Sequence, residues 1–284
     1  MRLATWNVNS VRSRVDRAVA FLERTGTDVL ALQETKCRDD QFPRAAFEAA
    51  GYEVATFGFS QWNGVALVSR VGLDDVERGF PTQPGFGEAP GPEARAIGAT
   101  CGGVRVWSLY VPHGRAVGDP HYRYKLAWLD ALRTQAQGWL DPATGDPDAA
   151  VALVGDWNVA PRDTDVWDLA VFADQTHITP PERAAFAAFE SAGYTEVTRV
   201  HVPQDRRYTY WDYQRLRFPR DEGMRIDFAY VSPAVAARTT AVSIERVERK
   251  GKAPSDHVPV VLDLADTGAR TGADGSADAA ADAA

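Results

Sequence analysis

The stretch AVALVGDWNV, Ala150 to Val159, reads as a buried strand that ends in polar chemistry: five apolar residues lead through Gly155 to Asp156 and, one residue further, Asn158. A spacing of two points both side chains to the same side of a strand end. The pattern recurs along the chain. TWNVNS carries Asn7 and Asn9 after the run from Leu3, LQETK carries Glu34 after Val29 to Leu32, and MRIDF carries Asp227. PSDHV, Pro254 to Val258, sets Asp256 and His257 at the head of Val258 to Leu264. Further β-branched runs cover Gly64 to Ser69 and Val104 to Val111.

Helical spacing lies between some of these runs. Val15, Ala18, Val19 and Leu22 share one face, and Tyr124, Leu126, Trp128, Leu129 and Leu132 suggest another. TPPERAAFAAFESAG, from Thr179, has proline at its start, acid in its first turn and Gly193 at its end, the signals of a helix beginning and stopping. Strands outnumber helices without a regular alternation, so the expected class is α+β, with packed sheets flanked by helices.

A chain of 284 residues with 45% apolar content can bury one large core, and no linker divides it. One domain over 1–264 is expected. The Ala/Asp-rich tail 265–284 lacks aromatic and β-branched aliphatic residues and is expected to be disordered. The formal charge of −8 is a weak veto on a polyanionic partner. The tail holds four Asp against one Arg, and acids gathered at a site would be offset by a divalent cation. Local charge points the other way: Arg12, Arg14 and Arg17, then Arg206, Arg207, Arg215, Arg217, Arg220 and Arg225, then Arg249, Lys250 and Lys252 lie beside three of the motifs. Two cysteines, Cys37 and Cys101, make neither a disulfide framework nor a metal spacing. The first residues lack a charged and apolar leader, and no run approaches a bilayer span, so a cytoplasmic protein is expected.

Carboxylates, carboxamides and one histidine collected at strand ends suit metal-assisted hydrolysis of a phosphodiester. WNVNSVRSR, LQETK, YVPHGR, VGDWNV, YTYWDY, GMRIDF and PSDHVPVV fall in the order and approximate spacing of one family. The chain resembles the exonuclease III type of apurinic/apyrimidinic endonuclease, in the endonuclease/exonuclease/phosphatase superfamily, over residues 1 to about 264. The resemblance implies a four-layer α/β sandwich and a Mg2+ requirement that Mn2+ can also meet. It implies cleavage of duplex DNA 5′ to an abasic site, with 3′-to-5′ exonuclease and 3′-phosphodiesterase activities. The expected partner is double-stranded DNA with abasic sites or 3′ ends, and the expected state a monomer.

On chemical grounds Glu34 can hold a hard cation through oxygen while leaving water positions open. Asp156 can orient and deprotonate the attacking water, and Asn158 can donate to a phosphate oxygen without adding charge. His257 can present its imidazole to a nonbridging oxygen, with Asp227 fixing its tautomer and sustaining its positive form. Asp256 is either a second metal contact or a group that orients its loop. The resemblance adds that Asn7 positions the catalytic Asp or the phosphate, that Asn9 lies near the metal, and that Tyr110 contacts the phosphate or assists the leaving oxygen. RRYTYWDYQRLRF sets aromatic rings among arginines, which suits a protein that extrudes a lesion. The resemblance places Tyr210, Met224 and Ile226 around an abasic-sugar pocket, and Trp211, Arg225, His113 and Arg115 are expected with the substrate. Trp211 has an equally good reading as core. Two positions depart from the pattern: the usual Gly after the second Asn of the first motif is Ser10, and the usual amide after YVP is His113, whose protonation could make phosphate binding pH-dependent. A same-fold phosphodiesterase for another substrate competes with this reading. A noncatalytic module would be credible only if Glu34, Asp156, Asn158, Asp227 or His257 were lost.

Overall fold

Two six-stranded sheets pack face to face in the computed structural model, which describes residues 1–87 and 91–266. The first holds, in spatial order, β11 (Thr239–Ile244), β12 (Val260–Leu264), β1 (Arg2–Asn7), β2 (Val29–Gln33), β4 (Val65–Ser69) and β3 (Glu53–Phe57). The second holds β5 (Asp74–Arg78), β6 (Ala96–Cys101), β7 (Val104–Tyr110), β8 (Val151–Asp156), β10 (Asp227–Val231) and β9 (Thr195–Glu196). Both are mixed: β1 runs parallel to β2 and β7 to β8, and the other pairs are antiparallel.

Alternation along each strand sorts the layers. Leu3, Val29, Ala31 and Leu67 of the first sheet meet Val104, Val106, Ala152, Val154, Ala229 and Val231 of the second in the central core. The opposite face of the first sheet, with Ala4, Trp6, Leu30 and Val68, is covered by α1 (Val11–Thr25) and α2 (Arg44–Ala49) through Phe21, Leu22 and Phe47. The outer face of the second, with Trp107, Leu109, Leu153 and Tyr230, is covered by α3 (Pro120–Leu140) and α4 (Pro180–Ser191) through Trp128, Leu132, Phe186 and Phe189. The result is the four-layer sandwich. Short helices α5 (Val197–His201) and α6 (Pro233–Ala236) complete it. No helix among the described residues is long and apolar enough to cross a membrane. Cys37 and Cys101 are free and buried.

The TPPER segment behaves as its sequence predicts. Thr179 caps α4, Glu182 returns the capping box, and Gly193 takes φ 93° just past the end. The expected tail lies outside the described residues from position 267 onward. Ala265 still donates its amide to the Arg238 carbonyl at 2.8 Å.

The same alternation builds the site. Reading along the inner face, apolar residues give way to polar ones at one end of the sandwich: Leu3, Thr5, Asn7 on β1; Val29, Ala31, Gln33 on β2; Val106, Ser108, Tyr110 on β7; Ala152, Val154, Asp156 on β8. The two parallel pairs carry their C-terminal ends to that edge. Antiparallel β10 brings its first residue, Asp227, directly opposite Asp156. Just beneath, Gln33 Nε2 donates across to Ser108 Oγ of the second sheet at 2.9 Å and, within its own sheet, to Thr5 Oγ1 at 3.0 Å.

Candidate active site

Asn7 is the hinge of the cluster. Its Nδ2 donates to Glu34 Oε1 at 2.8 Å and to Asp156 Oδ2 at 3.0 Å, spanning the two sheets. Its Oδ1 accepts the Asn9 amide at 3.0 Å. Asp156 is 1% exposed and accepts the Asn158 amide through Oδ1 at 2.9 Å. His257 closes the ring: Nδ1 lies 2.9 Å from Asp227 Oδ2, and Nε2 lies 3.8 Å from Asp156 Oδ2.

The backbone here is held in unusual shapes. Asn9, Ser10, Glu34, Lys36 and Asn158 all have φ between 43° and 87°, a region that costs a residue with a Cβ about 1–3 kcal/mol. Crossed hydrogen bonds hold it: Ser10 N to Glu34 O, Val11 N to Thr35 O, and Lys36 N to Asn63 O. Ser10, the departure from the family's glycine, sits at φ 87° and therefore carries a strain that glycine would not. At Gly155 an added Cβ would lie 1.9 Å from the Leu109 carbonyl oxygen, so the strand leading to Asp156 requires glycine there.

Electrostatics assign the protons. Burial disfavours the charged form of His257, yet Asp227 and then Asp156 outweigh it and raise its pKa to about 10. Burial, reinforced by Asp227 and Glu34 and opposed by His257, pushes the Asp156 carboxyl up to about 7. Burial also opposes ionisation of Glu34, but Lys36, 2.6 Å from Oε2, and the Asn7 amide hold it below the usual range. Tyr110 faces Asp156 in the β7–β8 register. Burial and then the charge of Glu34 keep its hydroxyl protonated far above the ordinary tyrosine range.

Ligand atoms of Glu34, Asp156 and His257 fall within 4.8 Å of one another. An imidazolium has no lone pair for a metal, so of these three only the carboxylates could hold an ion, Glu34 being the one open to solvent and Asp156 the buried one. Asp256 and Asn9 belong to the same rim: Asn9 Nδ2 donates to Asp256 Oδ1 at 3.0 Å, and Asn9 Oδ1 accepts Lys36 Nζ at 2.5 Å. The Lys36 ammonium bridges the Glu34 and Asn9 oxygens, which marks that point as favourable to a cation. An all-oxygen set around a half-buried carboxylate fits a hard divalent ion.

Beside the cluster a hollow of about 560 Å3 is lined by His113, Arg115, Trp167, Phe172, His177, Tyr210, Arg215 and Met224, among others. The Tyr210 ring lies 4.9 Å from that of His257, so the hollow adjoins the cluster. Ile226 supports its floor in a small cluster with Met224, Val166 and Ala160. Another hollow of about 540 Å3, between α4 and α5, contains no member of the site.

Two expected substrate contacts are corrected. Trp211 is fully buried against Tyr208 and Val258, its Nε1 donating to Asp221 at 3.2 Å, so it is core. Arg225 is also fully buried, with Nη1 on the Val202 carbonyl at 2.9 Å and its guanidinium 5.5 Å from the Phe228 ring. One strand position displaces it from Met224, so it faces α5 rather than the hollow. Arg14 and Arg17 are likewise engaged inside the protein, on carbonyls of Pro254 and of Glu248, Lys250 and Lys252. They fasten the PSDHV loop to α1. His113 does lie on the rim, but its Nδ1 accepts the Arg115 amide at 3.1 Å, and burial of its inner face together with Lys125 lowers its pKa to about 4. It therefore stays neutral across the physiological range, which moves the expected pH-dependent phosphate binding out of that window.

Sequence reading missed the support behind this rim. Lys125 and Glu182 form a fully buried ion pair. Lys125 Nζ also donates to the Asn158 carbonyl at 2.6 Å and the His113 carbonyl at 3.3 Å, while Glu182 accepts the His177 amide at 2.9 Å. The available signal was a lysine on the apolar face shared by Tyr124, Trp128 and Leu129. Lys125→Met strands a buried carboxylate and is expected to lower unfolding free energy by roughly 3–5 kcal/mol. Urea denaturation checks this; a loss below about 1 kcal/mol contradicts the pair's role.

A family model described as Endonuclease/Exonuclease/phosphatase family matches residues 4–257. Exodeoxyribonuclease III of Haemophilus influenzae is 27% identical over 274 residues, covering 92% of this chain and 98% of its own length. A 3′-5′ exonuclease from Neisseria meningitidis has a structure similar at TM-score 0.86 and 35% identity, covering 93% of this chain and 100% of that one. An AP endonuclease from Archaeoglobus fulgidus is similar at TM-score 0.84 and 32% identity, covering 93% and 99%.

Proposed function

Because the chain belongs to the endonuclease/exonuclease/phosphatase family, we propose that it is a DNA-repair nuclease that hydrolyses the phosphodiester 5′ to an abasic site in duplex DNA. The same centre would act on 3′ termini as exonuclease and phosphodiesterase. The observation that carries this reading is the joining of two carboxylates, Glu34 and Asp156, through the Asn7 amide, beside an imidazolium held by Asp227.

Mg2+ bound at Glu34, with Asp256 and Asn9 on the same rim, would supply positive charge to the phosphate. The chain's own residues do the rest. Asp156, ionised, takes the proton of the attacking water. His257 offers Nε2–H to a nonbridging oxygen, and Asn158 and His113 add neutral N–H donors. Tyr110, kept protonated, can donate to the leaving oxygen. The hollow lined by Tyr210 and Met224 accepts a sugar without its base, while Arg115 and Arg215 at its rim meet the flanking phosphates. Members of this family share such a centre among several phosphodiesters; the arginine-bearing aromatic rim favours DNA here.

The test is incision of a labelled duplex carrying one stable abasic analogue, against intact duplex, with Mg2+ and with chelator. Cation-dependent cutting at the lesion is expected, and folded protein that cuts neither duplex would reject the reading. Glu34→Gln removes the principal ligand charge and is expected to raise the Mg2+ concentration for half-maximal rate by at least about tenfold. A cation titration of the variant equal to wild type would exclude Glu34 as the ligand.

A further inference from the structure

We propose that His177 is a positioning residue: it fixes the carboxamide of Asn158 in the one orientation that turns an N–H toward the phosphate, and it backs the ring of His113 so that a second N–H faces the same side. The inference deepens the nuclease reading above and rests on it.

The chain of bonds begins with an atom that can only accept. The Val111 carbonyl takes a hydrogen from Asn158 at 2.9 Å, so the atom there is Nδ2 and the other end of the amide is Oδ1. Oδ1 can only accept, and it lies 3.2 Å from His177 Nε2, so the proton of that ring is on Nε2. Nδ1 of the neutral ring then accepts from Thr176 Oγ1, 3.0 Å away. Every polar atom of the imidazole is spent in this chain. One hydrogen of Asn158 Nδ2 remains, and the amide cannot flip to present its oxygen without losing both partners.

His177 is only 6% exposed, and its ring meets that of His113 edge to face, 4.6 Å between centroids. Its backbone amide is bound to Glu182, which is paired with Lys125. Burial and then Lys125 hold its pKa well below 6.5, in agreement with the neutral form that the hydrogen bonds require. His113 spends Nδ1 on the Arg115 amide and keeps Nε2–H for the cleft. Two neutral donors are thus aimed without adding charge or competing with His257.

Two measurements test this. In the wild-type protein, 15N spectra of His177 between pH 6 and 8 are expected to show Nε2 protonated and Nδ1 bare; the opposite tautomer or a titrating ring overturns the assignment. This readout needs no substrate, so it stands or falls separately from the nuclease reading. In kinetics on the abasic duplex, His177→Phe keeps the ring contact but removes the donor, and is expected to lower kcat/KM roughly 10- to 100-fold. His177→Gln, which restores an N–H, is expected to recover most of that loss. In an Asn158→Ala background His177→Phe should cost nothing further, because the group it positions is gone. An undiminished loss in that background, or Gln no better than Phe in proteins of equal melting temperature, would show that His177 acts elsewhere.

Discussion

Asp156→Asn is expected to lower kcat roughly 10^2- to 10^4-fold, the range that a general base supplies, while changing duplex affinity by no more than a few fold. The substitution keeps the size of the side chain and an oxygen able to accept the Asn158 amide, so the geometry at the end of β8 survives. It removes the buried carboxylate on the Nε2 side of His257, the group proposed to receive the proton. The carboxyl's pKa of about 7 gives the pH dependence. Only the ionised form is a base, so kcat should rise with pH through about 7 and then level off, and a cation at Glu34 should move that limb to lower pH. Stability has the opposite sign. The folded state holds the proton to about pH 7 and the unfolded chain releases it near 4, so ionisation of Asp156 costs folding free energy that grows between those values. Asn carries no such cost, and the variant should melt no lower than wild type at pH 8. Single-turnover incision, a binding titration and a melting curve decide together. Loss of binding in parallel with turnover would make Asp156 a substrate-holding group instead.

Much of this centre was legible because strand ends announce themselves. β1, β2, β4, β7, β8, β10 and β12 are runs of β-branched and aliphatic residues, and at β1, β2, β8 and β10 a polar residue in or just past the strand end marks the edge where the site forms. Five strands escaped: β3 (EVATF) and β11 (TTAVSI), and three whose compositions hid them. β5 is DDVER, an edge strand whose exposed charges discourage further pairing, and β9 has only two residues. β6 is AIGATC, with Gly98 lying under the Trp107 ring, where an added Cβ would sit 2.6 Å from the indole. The aromatic segment was legible in type but not in direction. Tyr210 and Trp211 are neighbours, one on the hollow and one in the core, and the bridges of Tyr210 to Met224 and His257 set which is which. Lys125, Glu182 and His177 were invisible for a different reason: their roles depend on a contact between α3, α4 and the Asn158 turn that no local pattern encodes.

Asp227→Asn should produce the second large loss, roughly 10^2- to 10^3-fold in kcat, the amount at stake when one stabilising donor to a developing oxyanion is weakened. Asp227 is 1% exposed and would act through the 2.9 Å bond to His257 Nδ1. Its negative charge is the largest of the influences that overcome burial and hold the His257 proton to about pH 10. With a neutral amide in its place the largest influence opposing burial is lost, the imidazole gives up its proton at lower pH, and Nε2 then no longer serves as a charged donor. Activity of the wild type should fall only as pH rises toward 10, whereas that of the variant should fall several pH units earlier. The linkage has the same direction. A histidine whose folded pKa is raised contributes stability that is fully present below about pH 6.5 and is lost as pH rises through about 10. The gap in melting temperature between wild type and variant should therefore be widest on the acid side. His257→Gln should cost a similar factor, and the double variant little more than either alone, because the two residues form one unit. An alkaline limb that stays in place in Asp227→Asn would mean that another group supplies the proton, and Tyr110, whose hydroxyl is kept protonated at this edge, would be the residue to test.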